Sequence, residues 1–236
     1  MLELKNVTKI YKNKVGTDVL ALDDISLKFP DKGMVFLLGK SGSGKSTLLN
    51  VIGGLDVPSK GEIIVKGRSS KDFTNSDFDS YRNTYVGFIF QDFHLLEDLT
   101  VEENLKFFAA LFGVEVEDSY DLVAPIYRQI EPFKNRRAGK LSGGMKQKLA
   151  LSCALIHRPS VLFLDEPTTG VDAVSRTEFW DMLADLKAKG ITILVSTPYM
   201  DEASRCDRIA LCNDGRILSI DTPTEIVQGF DAPLYA

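Results

Sequence analysis

A glycine-rich segment, Gly39–Thr47, constrains this chain more than any other stretch of its sequence. It reads Gly-Lys-Ser-Gly-Ser-Gly-Lys-Ser-Thr and matches the pattern G-x-x-x-x-G-K-[ST]. The apolar run Met34–Leu38 before it is typical of a buried strand, and Lys45–Ile52 after it is typical of a helix start. The motif requires this order of strand, loop and helix, so the sequence predicts a phosphate-binding P-loop in an α/β fold.

Each part of the P-loop has a predicted role. The glycines let the backbone approach an anion, and the helix start adds N–H groups and the positive end of its dipole. Lys45 is expected to contact the β- and γ-phosphates of a nucleotide, and the Ser46 hydroxyl is expected to bind Mg²⁺. The residues predicted to surround the phosphates are Gly39, Lys40, Ser41, Gly42, Ser43, Gly44, Lys45, Ser46 and Thr47.

Composition excludes several classes of protein. The 236 residues, 44% of them hydrophobic, are enough for one large domain or two small ones. A net charge of −5 argues against nucleic-acid binding, and the early lysines (Lys5, Lys9, Lys12 and Lys14) are interpreted as a solvated face. No apolar run approaches the roughly 18 residues of a membrane span, and the N-terminus lacks the apolar core of a signal peptide. With three cysteines in no metal-binding spacing, the sequence predicts a cytoplasmic protein without direct membrane insertion.

The segments before residue 92 are predicted to be mainly strands. Alternating apolar residues in Leu2–Tyr11 and Val19–Phe29 predict antiparallel strands, joined by a loop over Lys12–Asp18. Downstream of the P-loop helix, Ser69–Asp79 is polar and is interpreted as a loop ending in a short helix. The apolar run Tyr85–Phe90 then predicts a strand that ends at Gln91.

Between residues 92 and 159 the apolar residues recur at the spacing of a helix. Thr100 begins a capping-box pattern ahead of one helix, and further helices are predicted over Ser119–Ile130 and Gly143–His157. Strands and helices alternate again from Ser160 onward, which indicates a mostly parallel sheet. The elements predicted there are strands Val161–Leu164 and Ile191–Val195, helix Ser175–Lys189, a short helix Tyr199–Ser204, a hairpin over Arg208–Ile220 and a last helix Pro223–Phe230.

The predicted fold is therefore a P-loop NTPase core of the α/β class. The core comprises residues 1–91 and 160–236 and includes an antiparallel β subdomain at the N-terminus. An α-helical subdomain, residues 92–159, is inserted into it. All 236 residues are assigned to a single nucleotide-binding domain.

A second motif supplies the carboxylates that phosphoryl transfer needs. Four apolar residues lead into Asp165 and Glu166. A carboxylate at the end of a buried strand can hold Mg²⁺ through water, so Asp165 is predicted to lie opposite Ser46. Glu166 is predicted to orient and deprotonate the attacking water.

Leu141–Met145, which reads Leu-Ser-Gly-Gly-Met, predicts another anion site at a helix start. It resembles the signature sequence of ATP-binding cassette (ABC) proteins, usually written LSGGQ, with Met at the fifth place. The resemblance implies an ATPase that uses ATP and Mg²⁺. It also implies that two cassettes pair head to tail, each ATP lying between one P-loop and the partner's signature residues, here Ser142, Gly143 and Gly144.

The resemblance extends over essentially the whole chain. Tyr11, which the residues alone favour as a strand aromatic packing on its neighbour, matches the family's adenine-stacking position. Gln91 matches the Q-loop glutamine, a ligand for Mg²⁺ and a sensor coupled to the transport subunit. Thr169–Asp172 matches the D-loop, which implies that Asp172 contacts the opposite cassette. The catalytic residues implied are Glu166, Gln91 and Lys45.

Two positions depart from the family pattern. Met145 lies beside the phosphate-binding residues, where the exchange is expected to be tolerated. Pro198 stands where the family has a histidine that hydrogen-bonds the γ-phosphate, and proline offers neither a side-chain donor nor a backbone N–H. The chain's histidines, His94 and His157, lie elsewhere. Losing one preorganised contact to the transition state typically costs about 10²–10³ in rate, so hydrolysis is expected to be slow.

The resemblance also differs along the chain. Residues 1–93 resemble cassettes of lipoprotein-release and macrolide exporters, whereas residues from Thr100 onward resemble those of drug and ABC-2-type exporters. Two hypotheses fit this difference. The chain is a mosaic, or engineered chimera, with its junction near Phe90–Thr100, or the difference reflects diversity within one family.

Three functions are compatible with these residues. The leading one is the ATP-binding subunit of an exporter, paired with a second cassette as a homo- or heterodimer and held at the inner face of the membrane by a transmembrane permease. The permease is expected to contact the surface around Phe93–Phe112. The alternatives are a non-catalytic module that dimerises on ATP, which Pro198 favours, and a soluble cassette ATPase without a transport role.

Overall fold

The computed structural model describes residues 2–13 and 16–229. The chain divides into two compact units, one formed by residues 1–74 and 194–236 and the other by residues 75–193. Predictions that involve Lys14, Val15 or Phe230 lie outside the described residues.

The first unit contains an antiparallel sheet of four strands: β1 (Leu2–Tyr11), β2 (Val19–Lys28), β4 (Lys60–Val65) and β5 (Arg68–Ser69). Their order across the sheet is β2-β1-β4-β5. Leu2 and Leu4 are buried, as the period of two predicts, whereas Val7 is buried out of phase after a register shift between Leu4 and Val7.

The other strands of the first unit include the strand that leads into the P-loop. Strand β3 (Met34–Leu38) is buried over its whole length, as expected for a strand covered on both faces. It pairs in parallel with β9 (Arg208–Asn213), and β9 forms the predicted hairpin with β10 (Arg216–Asp221). On its other side β3 adjoins β8 (Thr192–Thr197). The helices described in this unit are α1 (Lys45–Ile52), α7 (Pro223–Gln228) and two 3₁₀ helices, Ser70–Asp72 and Met200–Arg205.

The second unit is largely helical. Strands β6 (Val86–Ile89) and β7 (Val161–Asp165) pair in parallel, with Phe88 beside Phe163. Residues 92–159 hold helices, short 3₁₀ turns and one isolated bridge, between Thr100 and Arg137. The helices of the unit are α2 (Asn75–Tyr85), α3 (Val101–Phe112), α4 (Tyr120–Tyr127), α5 (Gly143–Leu155) and α6 (Ala173–Ala188).

The hydrogen bonds at the start of α3 follow a pattern that is visible in the local sequence. The Thr100 hydroxyl accepts from the Glu103 N–H at 3.2 Å, and the Glu103 carboxylate accepts from the Thr100 N–H at 2.8 Å. This reciprocal pair is the predicted capping box. Over the described residues, no helix is both long enough and apolar enough to cross a membrane.

One predicted helix is too short, and the strand predicted after it begins one residue too early. The segment Ser69–Asp79 was expected to be a loop with a short helix, and Tyr85 was expected to begin a strand. Instead α2 runs for 11 residues to Tyr85 and buries only Tyr81, so the strand begins at Val86. A helix that rests on one apolar residue lacks the i, i+3, i+4 pattern by which amphipathic helices are recognised.

Candidate functional site

The P-loop connects β3 to α1, as predicted. Gly42 and Gly44 have φ angles of +78° and +98°, a region that favours glycine. A side chain at Gly39 would overlap the Cys212 carbonyl, so the loop passes too close to β9 for any larger residue. No side chain of the described residues caps the start of α1, which leaves this helix end suited to an anion.

Lys45 lies within the loop and is 3% exposed. Its ammonium donates to the carbonyls of Gly39 at 2.9 Å and Lys40 at 3.1 Å. These bonds hold a positive charge inside the ring of backbone that the glycines form. Ser46 is exposed at the first turn of α1, whereas the Ser43 hydroxyl is buried without a hydrogen-bond partner among the described residues. The loop therefore offers a fixed cation, a helix start and an accessible hydroxyl, which fits a nucleotide phosphate chain with Mg²⁺.

Tyr11, at the end of β1, belongs to the same unit as the P-loop. Its ring is 41% exposed, so it is not the packed strand aromatic that the residues alone favoured. The phenol donates to an Asp56 carboxylate oxygen at 2.9 Å. Burial, followed by this hydrogen bond, raises the pKa of Tyr11. The ring is thus both accessible and held in place.

The predicted carboxylates follow β7 in the second unit. Asp165 and Glu166 are both half-buried. Glu166 has a φ of +46°, which is uncommon for a residue other than glycine, and its carbonyl accepts from the Thr169 N–H at 3.2 Å. Backbone held in a sparsely populated region costs about 1–3 kcal/mol and is concentrated at functional sites.

The signature segment begins α5 in the same unit. The Ser142 hydroxyl accepts from the Met145 N–H at 3.4 Å and so caps the helix with a long hydrogen bond. A side chain at Gly144 would overlap Ser175, which lies in the first turn of α6. Asp172 caps α6 by accepting from the Ser175 N–H at 2.9 Å, and this bond lowers the pKa of Asp172. Asp172, predicted to contact another cassette, therefore also has a role within its own chain.

Gln91 is exposed just beyond β6. It lines a cleft of about 390 Å³ in the second unit. An ion pair between Lys146 on α5 and Glu97, with 2.7 Å between nitrogen and oxygen, borders this cleft and lowers the pKa of Glu97. The lining residues are Gln91, Asp92, Phe93, Leu95, Glu97 and Lys146.

Comparison with known proteins decides the family. The family model described as "ABC transporter" matches residues 22–169. The chain belongs to the ABC transporter family. It is therefore an ATP-binding cassette of the ABC ATPase class, which confirms the resemblance drawn from its motifs.

Relatives of the cassette include transport and uncharacterised proteins. It is 35% identical over 229 residues to the probable multidrug ABC transporter ATP-binding protein YbhF of Escherichia coli, with 96% of this chain and 38% of that protein covered. It is 36% identical to an uncharacterized ABC transporter ATP-binding protein, MJ1508, of Methanocaldococcus jannaschii, with 93% and 99% covered. Because YbhF aligns with nearly the whole cassette, the alignment does not divide the chain at Phe90–Thr100, and the mosaic idea stays a hypothesis.

A solved structure confirms the predicted fold class. It is the dimeric post-hydrolysis state of the ATP-binding cassette MJ0796 bound to ADP and Pi. The two chains superpose with a TM-score of 0.84 at 30% identity, over 94% of this chain and 98% of that one. The cassette thus has the mixed α/β ABC fold, with an antiparallel sheet and strands paired in parallel.

One buried residue of the cassette was missed from the sequence. Gln147, on α5, is fully buried, and its amide donates to the Pro167 carbonyl at 2.7 Å. This bond ties the signature helix to the residue that follows Glu166. A glutamine two places after Met145 carries no motif of its own, so only its inward position on α5 could have indicated it.

Pro198 follows β8 in the first unit. The preceding Thr197 hydroxyl donates to the buried Glu202 carboxylate at 2.6 Å and accepts from the Tyr199 N–H at 3.1 Å. The turn around Pro198 is therefore fixed on both sides. His94 stacks on Phe90, and His157 bonds the Val86 carbonyl, so both histidines have partners in the second unit.

Proposed function

We propose that this cassette binds and hydrolyses Mg-ATP as the energy-coupling subunit of an exporter, and that its hydrolysis is slow. The observation that carries the proposal is the glycine loop around Lys45, whose buried ammonium and uncapped helix start suit a phosphate chain. The names of relatives support export. They include a multidrug transporter protein, a macrolide export protein and a Nod factor export protein.

The nucleotide contacts are assigned residue by residue. The Tyr11 ring is assigned to adenine and the P-loop backbone to the phosphates, with Lys45 at the β- and γ-phosphates. Glu166 is assigned to the attacking water, which it orients and deprotonates. The remaining contacts, to an ATP held by a second cassette, are assigned to Ser142, Gly143, Gly144 and Asp172.

Mg²⁺ is assigned to Ser46 directly, to Gln91, and to Asp165 through water. No group of three or more His, Cys, Asp or Glu side chains that could hold a metal occurs among the described residues. A hydroxyl, an amide and a carboxylate are oxygen ligands of the kinds that Mg²⁺ takes, with its remaining ligands coming from phosphates and water. When bound, the ion neutralises charge on the phosphates.

Slow hydrolysis is inferred from Pro198. Proline supplies no donor to the γ-phosphate, and the bonds that fix Thr197 limit how far this turn can adjust. One lost transition-state contact corresponds to about 10²–10³ in rate. The same observation favours the alternative function, an ATP-gated dimerisation module whose working site is completed by a different cassette.

Steady-state Mg-ATP turnover of the cassette and of Pro198→His tests this inference, with Glu166→Gln as the blank. We expect Pro198→His to raise kcat severalfold or more while KM changes little. Equal and appreciable rates in both proteins would show that Pro198 does not limit hydrolysis. No turnover above the blank in Pro198→His would favour the dimerisation module.

The proposed partners are a second cassette and a transmembrane permease, which would hold the protein at the inner face of the cell membrane. The cleft beside Gln91 supports a permease contact, because it is open, partly polar and bordered by the ion pair between Lys146 and Glu97. Co-purification with a hydrophobic membrane protein, lost on Phe93→Asp, would test this partner. Retention of the partner by that variant would place the contact elsewhere.

A further inference from the structure

A cluster of three side chains surrounds the Tyr11 phenol in the first unit. The Asp56 carboxylate accepts from the phenol at 2.9 Å through one oxygen, and its other oxygen accepts from the Lys9 ammonium. The Thr47 side chain, from the last residue of the P-loop, also acts on the phenol and lowers its pKa, against the larger raising effects of burial and of Asp56. The phenol therefore has polar neighbours from the segment after α1 and from the P-loop.

The segment after α1 fixes the position of Asp56. The N–H groups of Leu55 and Asp56 both donate to the Asn50 carbonyl, at 2.9 and 3.1 Å, so the chain turns back along the helix it has just left. Gly54 makes this turn possible with a φ of +72°. The Lys9 ammonium also donates to the Val57 carbonyl at 2.8 Å, which joins β1 to the same turn.

Lys9 is consequently not part of a solvated face. Its side chain is only 12% exposed, and its ammonium lies 4.9 Å from the centre of the Tyr11 ring. A cation at this distance is attracted to an aromatic face, and it excludes other groups from that face. The single Asp56 carboxylate thus holds both the ring and the cation that covers one side of it.

The charge state of Asp56 is consistent with this role. Partial burial would raise its pKa, but the hydrogen bonds from Lys9 and Tyr11 outweigh burial and lower it. Asp56 therefore stays ionised near neutral pH, where it can accept from both partners. Neither Asp56 nor Lys9 belongs to a nucleotide motif of the sequence.

We infer that Asp56 is a positioning residue for the nucleotide base: by holding the Tyr11 hydroxyl and the Lys9 ammonium together, it presents one face of the Tyr11 ring to adenine. This inference rests on the proposed function, because it requires ATP to be bound with its base on Tyr11. Asp56 is assigned no contact with the base or the phosphates, because its carboxylate oxygens already accept from Lys9 and Tyr11. Its removal should therefore weaken binding only of ligands that carry a base.

Isothermal titration with Mg-ADP and with Mg-pyrophosphate separates these effects, since pyrophosphate has no base. We expect Tyr11→Ala to weaken ADP binding about tenfold, because stacking of a base on an aromatic ring is lost. Asp56→Ala should weaken it about threefold, and Asp56→Asn less, because the amide oxygen can still accept from the phenol. All three variants should bind pyrophosphate as the unmodified cassette does.

Asp23→Ala is the matched control. Asp23 lies in the same unit and accepts from the Arg216 guanidinium at 2.7 Å, so its removal also breaks an ion pair but touches no part of the Tyr11 cluster. It should leave both affinities unchanged. In a Tyr11→Phe background, which keeps the ring but removes the hydroxyl, Asp56→Ala should have a smaller effect than in the unmodified cassette.

The outcomes distinguish this inference from the proposed function. If Tyr11→Ala weakens ADP binding but Asp56→Ala does not, Asp56 has no positioning role, while the proposed function stands. Equal weakening of ADP and pyrophosphate by Asp56→Ala would mean that Asp56 acts through the fold, and it also overturns the inference. If Tyr11→Ala leaves ADP binding unchanged, the assignment of adenine to Tyr11 fails and the inference fails with it.

Discussion

The P-loop of the first unit and the signature segment of the second differ in how they form a helix start that can bind an anion. Both place glycines and a hydroxyl at a helix start that can bind an anion. In the P-loop, glycines with positive φ form a ring around the Lys45 ammonium, and α1 begins without a side-chain cap. In the signature segment, Ser142 caps α5 itself, through a bond of 3.4 Å.

This difference indicates which helix start can bind phosphate within one chain. The P-loop carries its own positive charge and leaves its helix end open. The signature helix has no lysine in its glycine turn, and its serine is already engaged, although by a long bond that an incoming anion could replace. The comparison therefore predicts that the P-loop binds nucleotide alone, whereas the signature contributes only to a nucleotide already held by another cassette.

The largest difference between the two segments is expected when one glycine of each is replaced by alanine. Gly39→Ala should abolish tight nucleotide binding and destabilise the fold by about 1–3 kcal/mol, because the new Cβ overlaps the Cys212 carbonyl. Gly143→Ala should leave stability unchanged or slightly raised, since its Cβ would meet only the Gly170 carbonyl at 3.4 Å and alanine favours helices.

Chemical denaturation and titration with Mg-ADP on both glycine variants check this contrast. Gly143→Ala should bind Mg-ADP like the unmodified cassette, because its site acts only on a partner's nucleotide. Equal losses of nucleotide affinity in the two variants would erase the distinction between the two helix starts.

Removing the helix caps should have a smaller effect. Ser142→Ala should cost less stability than Thr100→Ala, within the range of about 0.5–2 kcal/mol for lost caps. The reason is that Thr100 takes part in a reciprocal capping box, whereas Ser142 makes one long hydrogen bond. Urea denaturation of both variants measures the order, and a larger loss for Ser142→Ala would show that the signature helix depends on its own cap.

A substitution of Gln147 would break the link between the signature helix and the segment that contains Glu166 without changing the residues of either motif. Gln147→Leu should cost about 1 kcal/mol of stability and lower kcat without changing the affinity for Mg-ADP. The reason is that the Pro167 carbonyl loses its partner next to Glu166. Glutamine to leucine at the exposed Gln129 of the same unit is the control, and an equal loss of kcat there would exclude a specific link.

The smallest effect expected is the dependence of stability on pH that arises from His157, which lies in the second unit. Burial lowers the pKa of His157, against a smaller raising effect of its bond to the Val86 carbonyl. Below pH 6.5 the unfolded chain therefore binds more protons than the folded chain. The free energy of unfolding should decrease as pH falls from 6.5 towards the folded pKa of His157, and His157 should not affect it above pH 6.5. His157→Gln should flatten that part of the denaturation profile, and a profile unchanged by this substitution would contradict the assignment to His157.

Sequence patterns predicted the elements wherever a local signal and the packing agree. The strand before Gly39, the cap at Thr100 and the hairpin after Arg208 are confirmed because each depends on residues close together in the chain. The full length of the helix Asn75–Tyr85 was not predicted, because the helix carries only one buried side chain. In such a helix, tertiary context rather than periodicity decides the structure.

Some residues of the candidate site were also predictable from the sequence, and others were not. The P-loop and the carboxylates after β7 were predicted because their chemistry requires fixed spacings. The cluster of Lys9, Tyr11 and Asp56 and the bond from Gln147 were not predicted. Asp56 lies 45 residues from Tyr11, Pro167 lies 20 residues from Gln147, and neither Asp56 nor Gln147 carries a motif. The positive φ of Glu166 likewise has no signature in residue type.

Mixing two inactive cassettes tests most directly whether the two helix starts act together across two chains. The variants are Lys45→Ala, which damages the P-loop, and Ser142→Arg, which damages the signature, both in a Glu166→Gln background that retains ATP. Sedimentation velocity with Mg-ATP should find each variant alone as a monomer. An equimolar mixture should contain dimers, because the intact P-loop of one chain can meet the intact signature of the other. Monomers in the mixture, or dimers of either variant alone, would contradict head-to-tail sharing of ATP.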